Sequence, residues 1–336
     1  MLKPETVLCP KPEGLYCAPG DFFVDPVRPV ERAVITHGHA DHARAGHGVV
    51  VATPQTLAIM QVRYGDGFCR RSEPLAYGEQ VTRDGVEVSL APAGHVLGSA
   101  QAVVRYKGLT MVVSGDYKRR RDPTCPPFQP IACEVFITEA TFGLPVFVFP
   151  PDREEIAGLL RSVELFPERC HMVGAYALGK AQRVIRLLRE AGWERTIYVH
   201  GALSRLNDLY EAHGVELGPL ASATEEGGKN FAGAIVIAPP SALADRWSRR
   251  FPDPVTAFAS GWMRVRARAR QRAVELPLVI SDHADWEELT ATVAELNPQQ
   301  LWITHGREEA LARWAELNGV HARALALVGY EEEEGE

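Results

Sequence analysis

Four residues able to bind a metal fall within one short segment: His37, His39, Asp41 and His42 in the run Ala33-Val34-Ile35-Thr36-His37-Gly38-His39-Ala40-Asp41-His42. The apolar Ala33-Val34-Ile35 reads as a strand, and the four side chains follow where it ends. In an irregular loop His37 and His39 can face one ion while Asp41 and His42 face a second. Imidazole and carboxylate together suit zinc and similar divalent cations. A single histidine is more often a satisfied core residue, but four ligand types at one strand end are not explained that way.

Three further residues repeat the placement. His95 sits in the Gly-bounded turn Pro92-Ala93-Gly94-His95-Val96-Leu97-Gly98-Ser99, Asp116 follows the apolar run Val112-Val113, and His305 follows Trp302-Ile303-Thr304. Taken singly, they read as core histidines and a turn former. Together with the first cluster they complete two metal sites with Asp116 as the bridge, the arrangement of a two-metal hydrolase. Two such ions about 3.5–4 Å apart can share a hydroxide and clamp the attacking and leaving oxygens of a phosphoryl displacement.

The elements that must position these residues fall into two textures. Up to about residue 146, short apolar runs (Phe22-Phe23-Val24, Val49-Val50-Val51, Val86-Glu87-Val88, Ala102-Val103-Val104, Met111-Val112-Val113) are bounded by Gly, Pro or Asp and read as strands. Asp84-Gly85 and Lys107-Gly108 read as hairpin turns, and Pro54 to Tyr64 has helical spacing. From Pro150 strands and helices alternate: helices over 152–163, 180–190 and 204–212, strands at Val173, 196–199 and 234–238. That alternation predicts a parallel-sheet α/β unit. After Leu276 the first texture returns, with strands at 278–280 and 301–304 and helices over 286–296 and 308–317. Ser222 to Asn230 reads as a loop rich in Gly and Glu.

Composition is that of a water-soluble globular protein, 46% hydrophobic and 24% charged over 336 residues. No apolar run is long enough to cross a bilayer and Met1 to Thr6 lacks the apolar core of a secretory signal, so a cytoplasmic location without membrane contact is expected. The six cysteines form no C-x-x-C pair and read as reduced structural thiols. The net charge is −7, but five of the acids lie in the tail Glu331-Glu332-Glu333-Glu334-Gly335-Glu336, which reads as a solvated end. The overall balance therefore does not exclude a polyanionic partner.

H-x-H-x-D-H, a later Gly-His, a strand-end Ser-Gly-Asp and a final Thr-His-Gly resemble the metallo-β-lactamase superfamily. Ile137-Thr138-Glu139-Ala140-Thr141-Phe142-Gly143, Ala177-Leu178-Gly179-Lys180-Ala181-Gln182-Arg183 and Ser281-Asp282-His283-Ala284-Asp285 resemble its β-CASP nuclease branch. Gly14-Leu15-Tyr16-Cys17 and Ser260-Gly261-Trp262-Met263-Arg264 look most like the bacterial DNA ligase-associated exonuclease group. The resemblance covers nearly the whole chain apart from the tail. It implies an α/β protein, an αββα sandwich from residues 1–146 and 274–336 with an inserted α/β β-CASP cap at 147–273. Carried across residue by residue, His37, His39 and His95 hold one metal, Asp41, His42 and His305 the other, and Asp116 bridges both. Glu139 and His283 match a pair that hydrogen-bonds, with the histidine as general acid that protonates the leaving oxygen, and Asp25 matches an aspartate that supports the ligand loop. Zinc is the expected ion, with manganese as the other candidate for turnover.

The implied activity is a two-metal phosphodiesterase, first of all a DNA exonuclease acting in repair on single strands or DNA ends beside an ATP-dependent ligase and a helicase. RNA processing by the same site is the alternative, and Glu139 stands where the DNA-repair branch usually has Asp. A thioester or lactam hydrolase would leave Glu139 and His283 without purpose, and a non-catalytic subunit would be expected to have lost ligands. Arg264, Arg266, Arg268, Arg270 and Arg272 alternate with smaller residues. An extended backbone, the preferred reading, places all five on one face as a rail for phosphates; a helix scatters them. Lys118 in the run 118–121, and Lys180 and Arg183 at a helix start, are further candidate phosphate contacts, and Trp262 either stacks on a base or is buried.

Overall fold

The structure is a computed structural model that describes residues 2–224 and 231–325; the acidic tail and residues 225–230 of the expected Gly- and Glu-rich loop lie outside the described residues. The chain divides into two compact units, one of the described residues up to Val148 together with those from His283 onward, the other Phe149–Asp282.

The first unit opens with a six-stranded sheet in sequential order: β1 (Leu8–Lys11), β2 (Gly14–Cys17), β3 (Phe22–Val24), β4 (Arg32–Val34), β5 (His47–Ala52) and, after helix α1 (Pro54–Tyr64), β6 (Cys69–Pro74). Pro54 begins α1 because its missing N–H is not needed there, and Thr53 caps the helix by accepting from the Thr56 N–H at 3.1 Å. A second sheet follows as a meander, β7 (Gln80–Arg83), β8 (Val86–Pro92), β9 (Ala100–Tyr106) and β10 (Leu109–Val113), then β11 (Val135–Ala140) in parallel with β10. Asp84-Gly85 and Lys107-Gly108 make the expected tight turns with every φ positive, 48° and 80° in the first and 47° and 81° in the second.

The second unit is a parallel sheet with its crossover helices, as its alternating texture requires. Its elements are α2 (Asp152–Leu165), β12 (His171–Gly174), α3 (Lys180–Glu190), β13 (Ile197–Val199), α4 (Gly201–Ala212), β14 (Leu220–Ser222), β15 (Ile235–Ala238), β16 (Val255–Ala259), α5 (Arg266–Gln271) and β17 (Leu276–Leu278). The strand order is β14-β13-β15-β12-β16-β17, with Met172, Tyr198, Val236 and Phe251 in one core. Because β17 pairs with β16 in this sheet, the return to the first unit comes at Asp282/His283 and not at 274.

The chain then completes the first unit with α6 (Trp286–Leu296), β18 (Gln300–Gly306), α7 (Glu308–Leu317) and β19 (His321–Ala324), giving a second sheet ordered β19-β18-β11-β10-β9-β8-β7. Side-chain alternation makes four layers of this unit. Val24, Val34, Val104, Met111, Ile137 and Trp302 meet between the two sheets. Ala33, Ile35 and Val50 face Leu57 and Met60 of α1, while Val112, Phe136 and Ile303 face Leu289 and Val293 of α6 and Leu311 of α7. An αββα sandwich results. The strands β10, β11 and β18 run parallel, so the residues at their carboxyl ends emerge on one edge of the sandwich.

Trp302 is fully buried in the inter-sheet core, with its indole N–H on Gln300 Oε1 at 3.0 Å. Trp302→Ala is expected to cost about 3–5 kcal/mol through lost transfer energy and the cavity left behind. Urea unfolding checks this; a loss below 1 kcal/mol would show that the two sheets do not depend on this contact.

Candidate metal centre

Five histidines converge on one buried carboxylate. Asp116 Oδ2 lies 3.4 Å from His37 Nε2, 3.5 Å from His42 Nε2 and 3.8 Å from His95 Nε2. Its other oxygen, Oδ1, is 3.0 Å from His305 Nε2, and His283 Nδ1 stands 4.0 Å from Oδ2. His39 Nδ1 and His95 Nε2 are 3.0 Å apart. Among the sets of possible ligand atoms that lie within 4.8 Å of one another, two share Asp116 with the expected ligands: His37, His39, His95 and Asp116 in one, His42, Asp116 and His305 in the other. Asp41 stands outside both sets, with Oδ2 3.5 Å from His42 Nε2. The cysteines are free thiols and enter neither set.

Local geometry explains how side chains so far apart in sequence meet. Gly115, at φ 55°, turns the chain after β10; a Cβ there would lie 2.6 Å from Thr36 Oγ1. Gly306, at φ 107°, lies so close to β11 that a Cβ would come within 2.2 Å of the Ala140 carbonyl oxygen. Only glycine fits these two positions, each next to a residue of the cluster. His95 is held by a turn in which the Ser99 hydroxyl accepts the N–H groups of His95 at 3.1 Å and Val96 at 3.2 Å.

A repeated device orients two of the imidazoles. Thr36 Oγ1 lies 3.1 Å from His37 Nδ1, and Thr304 Oγ1 lies 3.1 Å from His305 Nδ1. Each hydroxyl gives its proton elsewhere, Thr36 to Asp25 Oδ2 at 2.5 Å and Thr304 to the Thr138 carbonyl at 3.1 Å, and so accepts the Nδ1 proton. Nε2 is then the lone-pair nitrogen, and it is the one that faces Asp116. The sequence signal for this device is the Thr-His pair that recurs at both strand ends, Thr36-His37 and Thr304-His305.

Asp25 ties the first loop together. Its Oδ1 accepts the Thr36 N–H at 2.7 Å, and its Oδ2 takes the Thr36 hydroxyl and lies 2.8 Å from His42 Nδ1. The residue adopts φ 44°, a conformation Asp tolerates better than most.

The arrangement fits divalent cations. His37 Nε2 and Asp41 Oδ1 are buried without a hydrogen-bond partner among the described residues, a state that costs about 1–3 kcal/mol per atom unless something else satisfies it. Burial drives the His37 pKa well below the usual imidazole value. Burial acts the same way on His42, but Asp116, Asp41 and Asp25 outweigh it and lift its pKa well above that value. Asp116 is held well below the carboxylate range: burial opposes this, and His42, His283, His305 and His37 overcome it. An ionised carboxylate among imidazoles is a donor set for hard-to-borderline cations.

A second layer adjoins the first. Glu139 is fully buried; its Oε1 accepts the Tyr117 N–H at 2.8 Å, and its Oε2 accepts the Thr141 hydroxyl at 2.6 Å and lies 2.9 Å from His283 Nδ1. The peptide carrying His283 is pinned by Lys118 Nζ to the His283 carbonyl at 3.2 Å and by the Ala284 N–H to the Tyr117 carbonyl at 2.6 Å. Asp285 and Glu288 cap α6 reciprocally, at 3.0 and 3.2 Å.

Several expected phosphate contacts are corrected by burial. Lys118 is 1% exposed and pairs with Glu288 at 3.4 Å; Lys180 is 3% exposed and pairs with Asp282 at 2.5 Å; Arg183 is fully buried and pairs with Asp152. Pulling one partner from a buried pair costs about 3–5 kcal/mol, more than a phosphate contact returns. These three residues shape the structure. The arginine rail is corrected too: Gly261–Arg264 is a 3-10 turn and Arg266–Gln271 is helix, so the five arginines do not share a face. Arg and Ala are strong helix formers, which outweighs the alternating pattern. Arg264 and Arg266 are exposed, and Arg268 lies over the half-buried Trp262 ring at 3.9 Å.

Comparison with known proteins gives a consistent family. Residues 22–165 match the family described as Metallo-beta-lactamase superfamily. A protein named "Probable DNA ligase" from Opitutus terrae is 30% identical over 322 residues, 93% of this chain and 30% of that protein. Endoribonuclease ysh-1 of Neurospora crassa is 28% identical over 219 residues, 54% of this chain and 25% of the relative. Cleavage and polyadenylation specificity factor subunit 3 of Dictyostelium discoideum is 26% identical over 217 residues, covering 54% and 28% respectively. The chain thus spans under a third of the length of these relatives. A crystal structure of a protein of unknown function from Enterococcus faecalis V583 shares the fold, with TM-score 0.59 and 16% identity over 88% of this chain and 79% of that one.

Asp25 holds three groups of the ligand loop, so its substitution tests that loop. Asp25→Asn is expected to weaken divalent-metal affinity about 10–100-fold while leaving the fold intact. Competition against a chromogenic chelator measures it; unchanged affinity would show that the loop holds its shape without this carboxylate.

Proposed function

We propose that this chain, which carries a metallo-β-lactamase superfamily domain and is related to nucleases of the β-CASP branch, is a two-metal phosphodiesterase that degrades DNA from an end. The observation that carries the reading is the Glu139–His283 pair beside Asp116, since hydrolysis of a phosphodiester needs a proton for an alkoxide leaving group whereas a thioester releases a thiolate that departs without one. His37, His39 and His95 would hold one ion, His42 and His305 with Asp41 the other, and Asp116 would touch both. Zinc suits the imidazole-rich set, with manganese the alternative for turnover. Divalent cations bound there would supply a water of lowered pKa and neutralise charge building on the phosphoryl oxygens.

The chain's own residues do the rest. Thr36 and Thr304 keep the Nε2 nitrogens of His37 and His305 turned toward Asp116. Glu139 accepts the Nδ1 proton of His283 and so orients the ring, whose Nε2–H is the acid for the departing oxygen. Lys118 holds that imidazole's peptide in place. DNA is favoured because the ligase-named relative aligns over 93% of the chain and the endoribonuclease over 54%. A role beside an ATP-dependent ligase and a helicase in repair, in the cytoplasm, accords with that relative's name. RNA is the second reading, supported by the endoribonuclease relatives and by a glutamate at 139. No helix among the described residues is long and apolar enough to cross a membrane.

Digestion of 5′- and 3′-labelled DNA and RNA oligonucleotides with defined metals tests the proposal. His283→Ala is expected to lower turnover by about 10²–10⁴-fold with metal content unchanged, and Asp116→Ala to abolish it. Wild-type turnover by a metal-replete His283→Ala protein would remove the proton-donor role.

A further inference from the structure

Helix α1 contributes no side chain to the metal centre, yet it touches both loops that carry the imidazoles of the His37, His39, His95 and Asp116 set. Thr56, Ile59 and Arg63 stand at i, i+3 and i+7 and so share one face of the helix. The stripe beside it, Leu57 and Met60, packs on Ala33, Ile35 and Val50 and fixes α1 to the first sheet.

The C-terminal half of this face holds the first ligand loop. Arg63 Nη1 donates to the Gly38 carbonyl at 2.8 Å, and Gly38 stands between His37 and His39. Ile59 is fully buried beneath the same residue: a Cβ at position 38 would come 2.5 Å from Ile59 Cγ2. Glycine is required here for close approach to the helix.

The N-terminal end holds the other loop. The Thr53 and Thr56 hydroxyls both donate to the Gly98 carbonyl, at 2.7 and 3.0 Å. Gly98 belongs to the turn that presents His95, and a Cβ there would lie 2.7 Å from Gln55 Cβ. Both loops thus end on one rigid element. His39 Nδ1 and His95 Nε2, 56 positions apart in the chain, come to 3.0 Å. Imidazoles that must converge on a single ion need such fixed spacing, and a helix supplies it better than a loop. The other set is held from elsewhere, His42 by Asp25 and His305 by Thr304.

We propose that α1 is the template for the first ion, with Arg63 and Thr56 as positioning residues that set the spacing of His37, His39 and His95 without touching the metal. The inference rests on the two-metal reading. Its consequence is selective: a change on α1 alters one metal affinity and spares the other.

The experiment is zinc titration of the full metal-free chain by calorimetry in two backgrounds. His305→Ala disables the second set and His95→Ala disables the first. Adding Arg63→Met, at a half-buried position, is expected to weaken zinc about 10-fold or more in the His305→Ala chain and less than about twofold in the His95→Ala chain. Arg63→Lys, which keeps a donor on a similar stem, is expected to recover most of the loss. Thr56→Val, which removes one donor to Gly98, is expected to act on the same site in the same direction. Equal loss in both backgrounds would make Arg63 a general support of the fold, and unchanged affinity in the His305→Ala chain would remove its role; either result overturns the inference. If the wild-type chain takes up no zinc, the two-metal reading falls and the inference with it. If it binds two ions and Arg63→Met does the same with equal affinities, the inference alone falls.

Discussion

The structure of the first unit turns on one buried carboxylate among imidazoles. Asp116 has an oxygen within 4.0 Å of His37, His42, His95 and His283, and another 3.0 Å from His305. A unit charge pair about 4 Å apart is worth on the order of 4 kcal/mol at an effective dielectric of about 20. The cationic His42, with His283 and the contacts from His305 and His37, overcomes the burial that would otherwise neutralise the acid, and Asp116 is held well below the carboxylate range. Without cationic character nearby the carboxylate could not be buried; without the carboxylate the imidazoles would have no common focus.

Everything around that focus serves to hold it. Gly115 and Gly306 allow the chain to approach where a side chain could not, Thr36 and Thr304 fix which imidazole nitrogen faces inward, and Asp25 closes the first loop. Parallel pairing of β10, β11 and β18 brings Asp116, Glu139 and His305 to one edge although 189 residues separate the first from the last. The site is therefore a property of the sandwich and its strand ends, with rigid elements supplying precision that loops alone would lack.

How much of this was legible in the sequence follows the physics of each element. Ligands stood out because four chemically unusual residues at a strand end have no bland explanation, and α1, α3, α6 and α7 stood out through their helical spacing. The edge strands β6 and β19 did not, and the strand expected at 278–280 lies two residues earlier, as β17. Cys69–Pro74 and His321–Ala324 are largely polar or exposed, as edge strands that avoid pairing with other chains often are, and so carry no apolar alternation. The basic residues misled for a related reason. Charge in a sequence says nothing of its partner, and Lys118, Lys180 and Arg183 find theirs in acids 170, 102 and 31 positions away. Alternating arginines likewise yielded to helix propensity, turning an expected surface rail into a turn and a helix.

The most direct test of the account is the titration of metal-free protein with Zn²⁺ by calorimetry in buffers of different ionisation enthalpy. Two ions per chain are predicted, with net proton release at pH 7, because the raised pKa of His42 keeps a proton there that an ion must displace. For the same reason affinity is predicted to fall as the pH is lowered. Asp116→Ala, which removes the residue common to both sets, is predicted to weaken both sites together. A single site, uptake without proton release, or two sites unaffected by Asp116→Ala would contradict the central role assigned to that carboxylate.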